Sequence, residues 1–143
     1  MSDPLRVLIP DDSSAAAHRA VAHVVSLAAR GLSIDVHLLN VQSAVRGSAA
    51  SLVPASELEG YHRDEGMRAL GESIRQIEAA GLKPHSHVCV GDPGESILAF
   101  AARLQCEQIV MGTRGHGIVG QLLLGSVAQH VVVHASLPVT LLR

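Results

Sequence analysis

Short apolar runs and helical patterns alternate along the whole chain. Apolar residues that run together or alternate between turn residues predict a strand, and apolar residues three or four positions apart predict a helix. Strands are predicted over residues 6–10, 33–41, 85–90, 107–112 and 137–143. Helices are predicted over 15–30, about 60–80, 93 to about 105 and about 126–134, with a long surface connection over 42–57.

Strands separated by helices indicate right-handed βαβ crossovers. The sequence therefore predicts an α/β fold, an open five-stranded parallel sheet with helices on both faces, in one domain over residues 1–143. Ligands of such Rossmann-like sheets bind beyond the carboxyl ends of the strands, where the winding reverses. The candidate site is formed by "PDDSS" after the first strand and "GTRGHG" after the fourth.

Composition and charge remove several classes of function. Only Tyr61 and Phe100 are aromatic and the net charge is −2, so neither base stacking nor a basic surface for nucleic acid is available. No apolar run approaches the ~18 residues of a membrane span, and the first residues lack the basic region of a signal peptide. We therefore expect a cytosolic protein without membrane or nucleic-acid partners. Cys89 and Cys106 are too few for a disulfide framework and are predicted to be small buried hydrophobes.

The densest chemical signal is "MGTRGHGIVGQLLLGSV", residues 111–127, with glycine at 112, 115, 117, 120 and 125. Glycines let several backbone N–H groups converge on an anion, and the helix that opens at Gly125 and Ser126 presents N–H groups without intrahelical partners. Ser126 can cap this helix or donate its hydroxyl to a phosphate oxygen. The alternative is a flexible connector in which the glycines only turn the chain.

Two common phosphate motifs do not fit this segment. The Walker form needs a lysine after its last glycine, and Lys83 is the only lysine in the chain. Glycines 115, 117 and 120 have the spacing of the dinucleotide fingerprint, but no Asp or Glu follows Glu107 to bind a ribose. A dehydrogenase is therefore disfavoured.

The spacing Gly112, two residues, Gly115, nine residues, Gly125 and Ser126 resembles the ATP-binding signature of the universal stress protein family. The segments "VLIPDDSSAAAHRA", "GDPGESIL" and "HASLPVTLL" are similar to the opening strand, the third helix entry and the closing strand of that family. The resemblance covers the whole chain. It implies an adenine nucleotide alpha hydrolase-like fold that binds ATP.

The resemblance also implies which residues contact the nucleotide. The adenosine end would lie between the turn at Pro10 and Asp12 and the strand end at Val41, with Met111 beside the base or ribose. The phosphates would contact Gly112, Gly115, Gly125, Ser126 and Val127, with Arg114 alongside. Asp12 has a second interpretation, because Asp12, Ser13 or Ser14 could simply cap the first helix.

The turn departs from the family pattern, because Asp11, Asp12, Ser13 and Ser14 replace an apolar residue, Asp, Gly and Ser. Two adjacent carboxylates repel a polyphosphate unless a divalent cation lies between them. We therefore expect ATP, with Mg²⁺ or Mn²⁺ bound through its phosphates as the candidate cation.

Nine histidines raise the question of a metal site. His85 and His87 fall on one face of a predicted strand, and His130 and His134 lie four apart on a predicted helix. The stretch "HVVVH" has Val131 where a zinc protease needs its glutamate. Surface or capping histidines are the favoured interpretation, and no metal ligand is assigned.

Three functions remain open. The first is a stress-response or signalling protein that binds ATP and dimerises through its last strand, an exposed apolar edge. The second is a slow ATPase or phosphotransferase using Arg114 and metal-bound phosphate. Arg114 and His116 flank the glycine segment and could neutralise phosphate charge, His116 only when protonated. The third is an interaction module of the same fold without nucleotide. No nucleophile with a neighbouring base is visible, so rapid turnover is not expected.

Overall fold

The computed structural model describes residues 3–44, 52–114 and 124–143, which form five strands and four helices. The strands are β1 (Leu5–Pro10), β2 (Ile34–Gln42), β3 (His85–Val90), β4 (Gln108–Gly112) and β5 (Val139–Leu142). The helices are α1 (Ala15–Ala29), α2 (Ala55–Ala79), α3 (Pro93–Arg103) and α4 (Ser126–His134). Every predicted element is present in its predicted order.

All five strands pair in parallel in one sheet, in the order β3-β2-β1-β4-β5. The chain therefore winds outward from β1 to β3 and then returns to the other side of β1. This reversal leaves a crevice between the carboxyl ends of β1 and β4. The open parallel α/β sheet predicted from the sequence is confirmed.

The sheet separates two apolar cores. On one face, Val7 and Val36 pack against α1 and α2 through residues such as Val24 and Ile77. On the other face, Leu8, Leu39, Ile109 and Met111 pack against α3 and α4 through Ile97, Ala101, Ala128 and Val131. Because both faces are covered, the central strands are apolar on both sides rather than alternating.

Two helices end just before the glycines from which their ends were predicted. Gly31 follows α1 with φ +99° and Gly81 follows α2 with φ +84°. Both conformations are left-handed and favour glycine. The third helix was expected to reach about Gln105, but it ends at Arg103 because Gln105 itself takes the left-handed conformation, at φ 55°.

The start of α2 also differs from the prediction. The helix begins at Ala55, about five residues before the predicted Gly60, so part of the expected surface connection is helical. The first turn is exposed and carries no apolar periodicity, which is why the pattern missed it. Glu57 in the first turn is favourable for a helix start, whereas Pro54 at the cap position makes no side-chain capping hydrogen bond.

Two further predictions concern the burial of the cysteines and the absence of a membrane span. Cys89 and Cys106 are free thiols and both are half-buried rather than fully buried. Burial raises the pKa of both thiols, to about 11 for Cys106. Of the helices in the described ranges, none combines the length and the apolar character needed to cross a membrane.

Candidate functional site

The reversal point of the sheet carries a cleft, and most of the predicted site residues line it. The predicted residues in its wall are Pro10, Asp12, Val41, Met111, Gly112, Arg114, Gly125, Ser126 and Val127. Eight further described residues also line it: Asp11, Ser14, Ala17, Leu39, Pro93, Ile97, Thr113 and Ala128. Gly115 lies outside the described residues, as do Gly117, Gly120 and His116.

The turn after β1 resolves the two interpretations of its polar residues. The hydroxyl of Ser14 accepts the Ala17 amide at 3.2 Å, so Ser14 is the cap of α1. Asp12 lies two residues before this cap, and its Oδ1 accepts the Ser14 amide at 3.0 Å. The carboxylate of Asp12 therefore shapes the turn at the wall of the cleft, and Asp12 is not the cap residue.

The adjacent carboxylates of this turn lie in different environments. Asp11 is only 2% exposed, and its Oδ1 accepts the Ser13 amide at 2.8 Å. Asp12 is exposed at the mouth of the cleft. The main chain of Asp11 is fixed as well, because its amide donates to Leu39 and its carbonyl accepts the Asn40 side-chain amide. Only one of the two carboxylates therefore reaches solvent.

Ser126 has a different place from the one predicted for a cap. The cap of α4 is Gly125, whose backbone is extended at φ −73° and ψ 165°, and no side chain makes a capping hydrogen bond. Ser126 is the first helical residue, with an exposed side chain. The first amides of α4 thus have no capping side chain in the described residues, and the residues that carry them line the cleft.

Three helices begin at this cleft, and they differ in how their first turns are satisfied. Ser14 caps α1 and Asp92 caps α3, accepting the Glu95 amide at 3.0 Å. The start of α4 has a glycine in the same role. Because helix amino termini carry partial positive charge, α4 is the end with the greatest remaining capacity for an anion.

Gly112 is required by packing at the end of β4. A Cβ at this position would lie 2.5 Å from the Cβ of Ala16 and 3.0 Å from its carbonyl carbon. These distances are shorter than van der Waals contact, so only glycine allows β4 to approach the first turn of α1. A ligand contact at Gly112, as the resemblance implies, would therefore be additional to this packing role.

The opposite wall of the cleft is apolar. Leu39, Val41, Ile97 and Met111 line it, and all four belong to the core on the α3 and α4 face or pack against it. The cleft thus combines an apolar wall with backbone donors and an exposed carboxylate. Ligand sites commonly pair apolar surface with a few polar groups in this way.

An open parallel sheet with such a cleft at its reversal point defines a doubly wound α/β protein. The chain belongs to the universal stress protein family, whose family model matches residues 5–143. The universal stress protein MJ0531 of Methanocaldococcus jannaschii is 30% identical over 96% of this chain and 81% of its own length. The solved structure of MJ0577 is 26% identical, with a TM-score of 0.83 over 96% of this chain and 94% of that one.

Three further structures share the fold and are described with adenine nucleotides. They are a family member from Arabidopsis thaliana with AMP bound, one from Archaeoglobus fulgidus in complex with dAMP, and a universal stress protein in complex with cAMP. They are 19%, 23% and 21% identical to this chain, with TM-scores of 0.71, 0.68 and 0.69. The alignments cover 97%, 100% and 99% of this chain and 91%, 100% and 98% of the other.

Proposed function

We propose that this protein binds ATP in the cleft between β1 and β4 and acts as a nucleotide-responsive dimer in stress response or signalling in the cytosol. The observation that carries the proposal is the start of α4, where a glycine cap leaves the first helical amides open toward the cleft. Family members that bind AMP, dAMP or cAMP support an adenine nucleotide as the ligand.

The two sides of the cleft suit the two ends of ATP. The adenosine would pack on the apolar wall formed by Val41 and Met111, and the phosphates would lie at the amides of Ser126 and Val127. Arg114 is exposed and lines the same cleft, so it can offset phosphate charge. Gly115, which the family resemblance assigns to the phosphates, completes the proposed set.

The carboxylate of Asp12 gives the proposal a cation requirement. It is exposed in the wall of the cleft that would hold the phosphates. The carboxylate and the phosphates are both negatively charged and repel each other unless a cation lies between them. Mg²⁺ or Mn²⁺ binds carboxylate and phosphate oxygens together. We expect ATP to bind more tightly with Mg²⁺ than without it.

We propose binding without rapid turnover. None of the described residues that line the cleft is a histidine, lysine or cysteine; Asp11 is buried, and Oδ1 of Asp12 accepts the Ser14 amide of the turn. A base for attack on a phosphate would need a free position beside the nucleophile. Phosphate release above that of a heat-inactivated control would overturn this part of the proposal.

The test uses titration calorimetry of nucleotide-stripped protein with ATP, with and without Mg²⁺, and with AMP and NAD for comparison. Ser126→Pro removes one backbone donor, and proline suits the first position of a helix when the preceding residue is extended, as Gly125 is. The loss of a charge-assisted hydrogen bond of about 1.5–3 kcal/mol weakens binding roughly 10- to 100-fold.

Two matched variants define what Ser126→Pro measures. Ser126→Ala removes the hydroxyl and keeps the amide. We expect a smaller loss of ATP affinity, which measures the contribution of the hydroxyl. Ala55→Pro makes the same change at the first position of α2, after the extended Pro54 and away from the cleft, and should bind ATP normally. Unchanged affinity in Ser126→Pro would refute the phosphate position. No binding of ATP or AMP by the parent protein would favour a nucleotide-free interaction module.

Dimerisation is proposed through β5. The Ile109 amide donates to Pro138 and the Thr113 amide donates to Leu142, so the main chain of Val139 and Leu141 faces away from β4. We expect Leu141→Pro, which removes an outward donor, to be monomeric in analytical ultracentrifugation. Leu141→Ala keeps that donor and should remain dimeric like the parent. A monomeric parent protein would refute this interface.

A further inference from the structure

A second group of polar side chains lies at the opposite end of the sheet from the cleft. Asp35 and His37 are two residues apart on β2, and His85 and His87 are two apart on β3, so each pair shares a strand face. The register places His37 beside His85 and Leu39 beside His87. We call Asp35, His37, His85 and His87 the histidine cluster.

The members of the histidine cluster are in direct contact. Asp35 Oδ2 lies 3.3 Å from His37 Nε2, and Asp35 Oδ1 lies 3.0 Å from His85 Nε2. His37 Nδ1 lies 3.0 Å from His87 Nε2. The rings of His37 and His85 are stacked, with centroids 4.6 Å apart. The Nε2 atoms of His37 and His85 therefore converge on the Asp35 carboxylate, and His87 contacts the other ring nitrogen of His37.

We propose that the histidine cluster is a binding site for a divalent transition metal, Zn²⁺ in particular, with Asp35, His37 and His85 as ligands. One ligand atom from each of these residues lies within 4.8 Å of the other two. Zinc at its usual distances of about 2.0–2.2 Å from tetrahedral ligands separates them by roughly 3.3–3.5 Å. The separations of 3.3 Å to His37 and 3.0 Å to His85 approach this value, but each uses a different oxygen of Asp35. The side chain of His85 is half-exposed and can turn so that one Asp35 oxygen and both Nε2 atoms meet one ion.

The donor set selects the class of metal. Two imidazoles and a carboxylate suit Zn²⁺ and similar transition metals, whereas Mg²⁺ and Ca²⁺ prefer all-oxygen sites. Three protein ligands leave a fourth position for water or another small ligand. Because 55% of the His85 side chain is exposed and 11% of the His37 side chain is, the ion would have access from solvent on the His85 side.

His87 is the positioning residue of the proposed site. A metal on His37 Nε2 would leave the proton on Nδ1, from which it can be donated to His87 Nε2 at 3.0 Å. Metal-bound histidines commonly have such a partner, which fixes the ring. His87 is itself held against the ring of Phe100, with centroids 5.7 Å apart, so the partner is fixed by α3.

Two of the histidines have pKa values that agree with the proposed arrangement. Burial lowers the pKa of both His37 and His87 below the ordinary value, despite the opposing effect of Asp35 on His37. Neutral imidazole is the form that binds metals. None of the four residues of the histidine cluster lines the nucleotide cleft, so the outcome of one test does not decide the other.

The test is a Zn²⁺ titration of EDTA-treated full-length protein against a chromophoric chelator, with circular dichroism of every variant. The parent protein should bind one Zn²⁺ in competition with the chelator. His85→Gln removes the most exposed ligand, and we expect it to bind Zn²⁺ at least tenfold more weakly. His134→Gln is the matched control. His134 is an exposed histidine, and its ring centroid lies 4.3 Å from that of His130, so it also belongs to a pair of neighbouring histidines.

The outcomes separate the possible sites. Equal Zn²⁺ affinity of the parent and His85→Gln would overturn the proposal, as would loss of binding in His134→Gln alone, which would place the ion on α4. His87→Gln should fold and lose affinity on the order of 10- to 100-fold, as expected of a positioning partner. Visible absorption of bound Co²⁺ provides a second readout, and its coordination bands should change in His87→Gln. Mg²⁺ should not compete with either ion.

Discussion

The two ends of the sheet are built from different parts of the polypeptide. At the carboxyl end, the cleft presents backbone amides, chiefly those at the glycine-capped start of α4. At the amino end, the histidine cluster presents imidazole nitrogens and a carboxylate from β2 and β3. The partial charges of the helix ends follow the same division, because the helices begin at the carboxyl end of the sheet and finish at its amino end.

The polarity of the βα units explains this division. Parallel strands place every helix amino terminus near the carboxyl ends of the strands, where partial positive charge favours anions. Helix carboxyl termini, such as the end of α3 at Arg103, lie toward the amino ends, where cations are favoured. A single fold thus provides one end suited to phosphate and another suited to a metal ion.

The largest predicted effect is the response of stability to Zn²⁺. At a free Zn²⁺ concentration about 100 times the dissociation constant, binding adds about 2.7 kcal/mol to the free energy of unfolding. For a domain of this size, that is a rise of roughly 10 °C in unfolding temperature. Differential scanning fluorimetry should show the full rise in the parent and in Ser126→Pro, and at most about half of it in His85→Gln, whose Zn²⁺ affinity is at least tenfold lower. An equal rise in unfolding temperature in all three proteins would contradict the placement of the metal site at the histidine cluster.

A smaller effect is predicted for the packing at the carboxyl end. Gly112→Ala places a methyl group 2.5 Å from the Cβ of Ala16, and overpacking of this kind costs about 1–3 kcal/mol of unfolding free energy. Gly60→Ala is the control, since no atom lies within 4 Å of a Cβ at this helical position. Urea denaturation should show Gly112→Ala less stable than the parent and Gly60→Ala slightly more stable. Two equally stable variants would refute the packing role of Gly112.

The smallest effect concerns chemistry beside the histidine cluster and leaves stability unchanged. Burial, with a further contribution from the charge of Asp35, raises the pKa of Cys106 from 9.0 to about 11. The thiolate is the reactive form, so at pH 8 its population is roughly a hundredfold lower than that of an ordinary thiol. Alkylation of the Cys89→Ser variant, which retains Cys106, should therefore be slow and should rise up to about pH 11.

The comparison for this measurement is the same variant unfolded in guanidinium. Unfolding removes the burial, so the alkylation rate should increase and its pH midpoint should fall to that of an ordinary cysteine. Identical pH profiles for the folded and unfolded chains would contradict the raised pKa. Such a result would also make Cys106 available as a thiolate ligand near Asp35 and change the expected metal chemistry.

Sequence patterns were sufficient for the sheet and for most helix ends. The apolar runs located all five strands, and Gly31 and Gly81 marked helix ends because each takes a left-handed conformation there. The start of α2 was missed because its first turn is exposed and carries no apolar stripe. The end of α3 was placed late because a left-handed Gln105 has no signature comparable to glycine.

The cleft was predictable from the family resemblance, whereas its detailed geometry was not. The nine described residues that the sequence assigned to the nucleotide all line one cleft. The identity of the helix cap in a polar turn changes if the helix begins one or two residues earlier or later. The sequence therefore left Asp12, Ser13 and Ser14 as candidates, and the structure identifies Ser14. For the same reason, Gly125 rather than Ser126 occupies the cap of α4.

The histidine cluster was only half visible in the sequence. His85 and His87 were placed on one strand face, and the structure confirms this, but they were interpreted as surface or capping residues. The missing signal was Asp35 and His37, which have the same two-residue spacing on β2. Pairing between β2 and β3 brings the two spacings together, and strand order is the information that local patterns lack.

The contact between Gly112 and Ala16 has a consequence for how sequences of this fold can diverge. Two small residues from distant parts of the chain meet here, so a larger residue at position 112 has no room while α1 stays in place. Positions 16 and 112 therefore constrain the distance between α1 and β4. A lineage that acquired a larger residue at position 112 would have to move α1 away from β4, and with it a wall of the cleft.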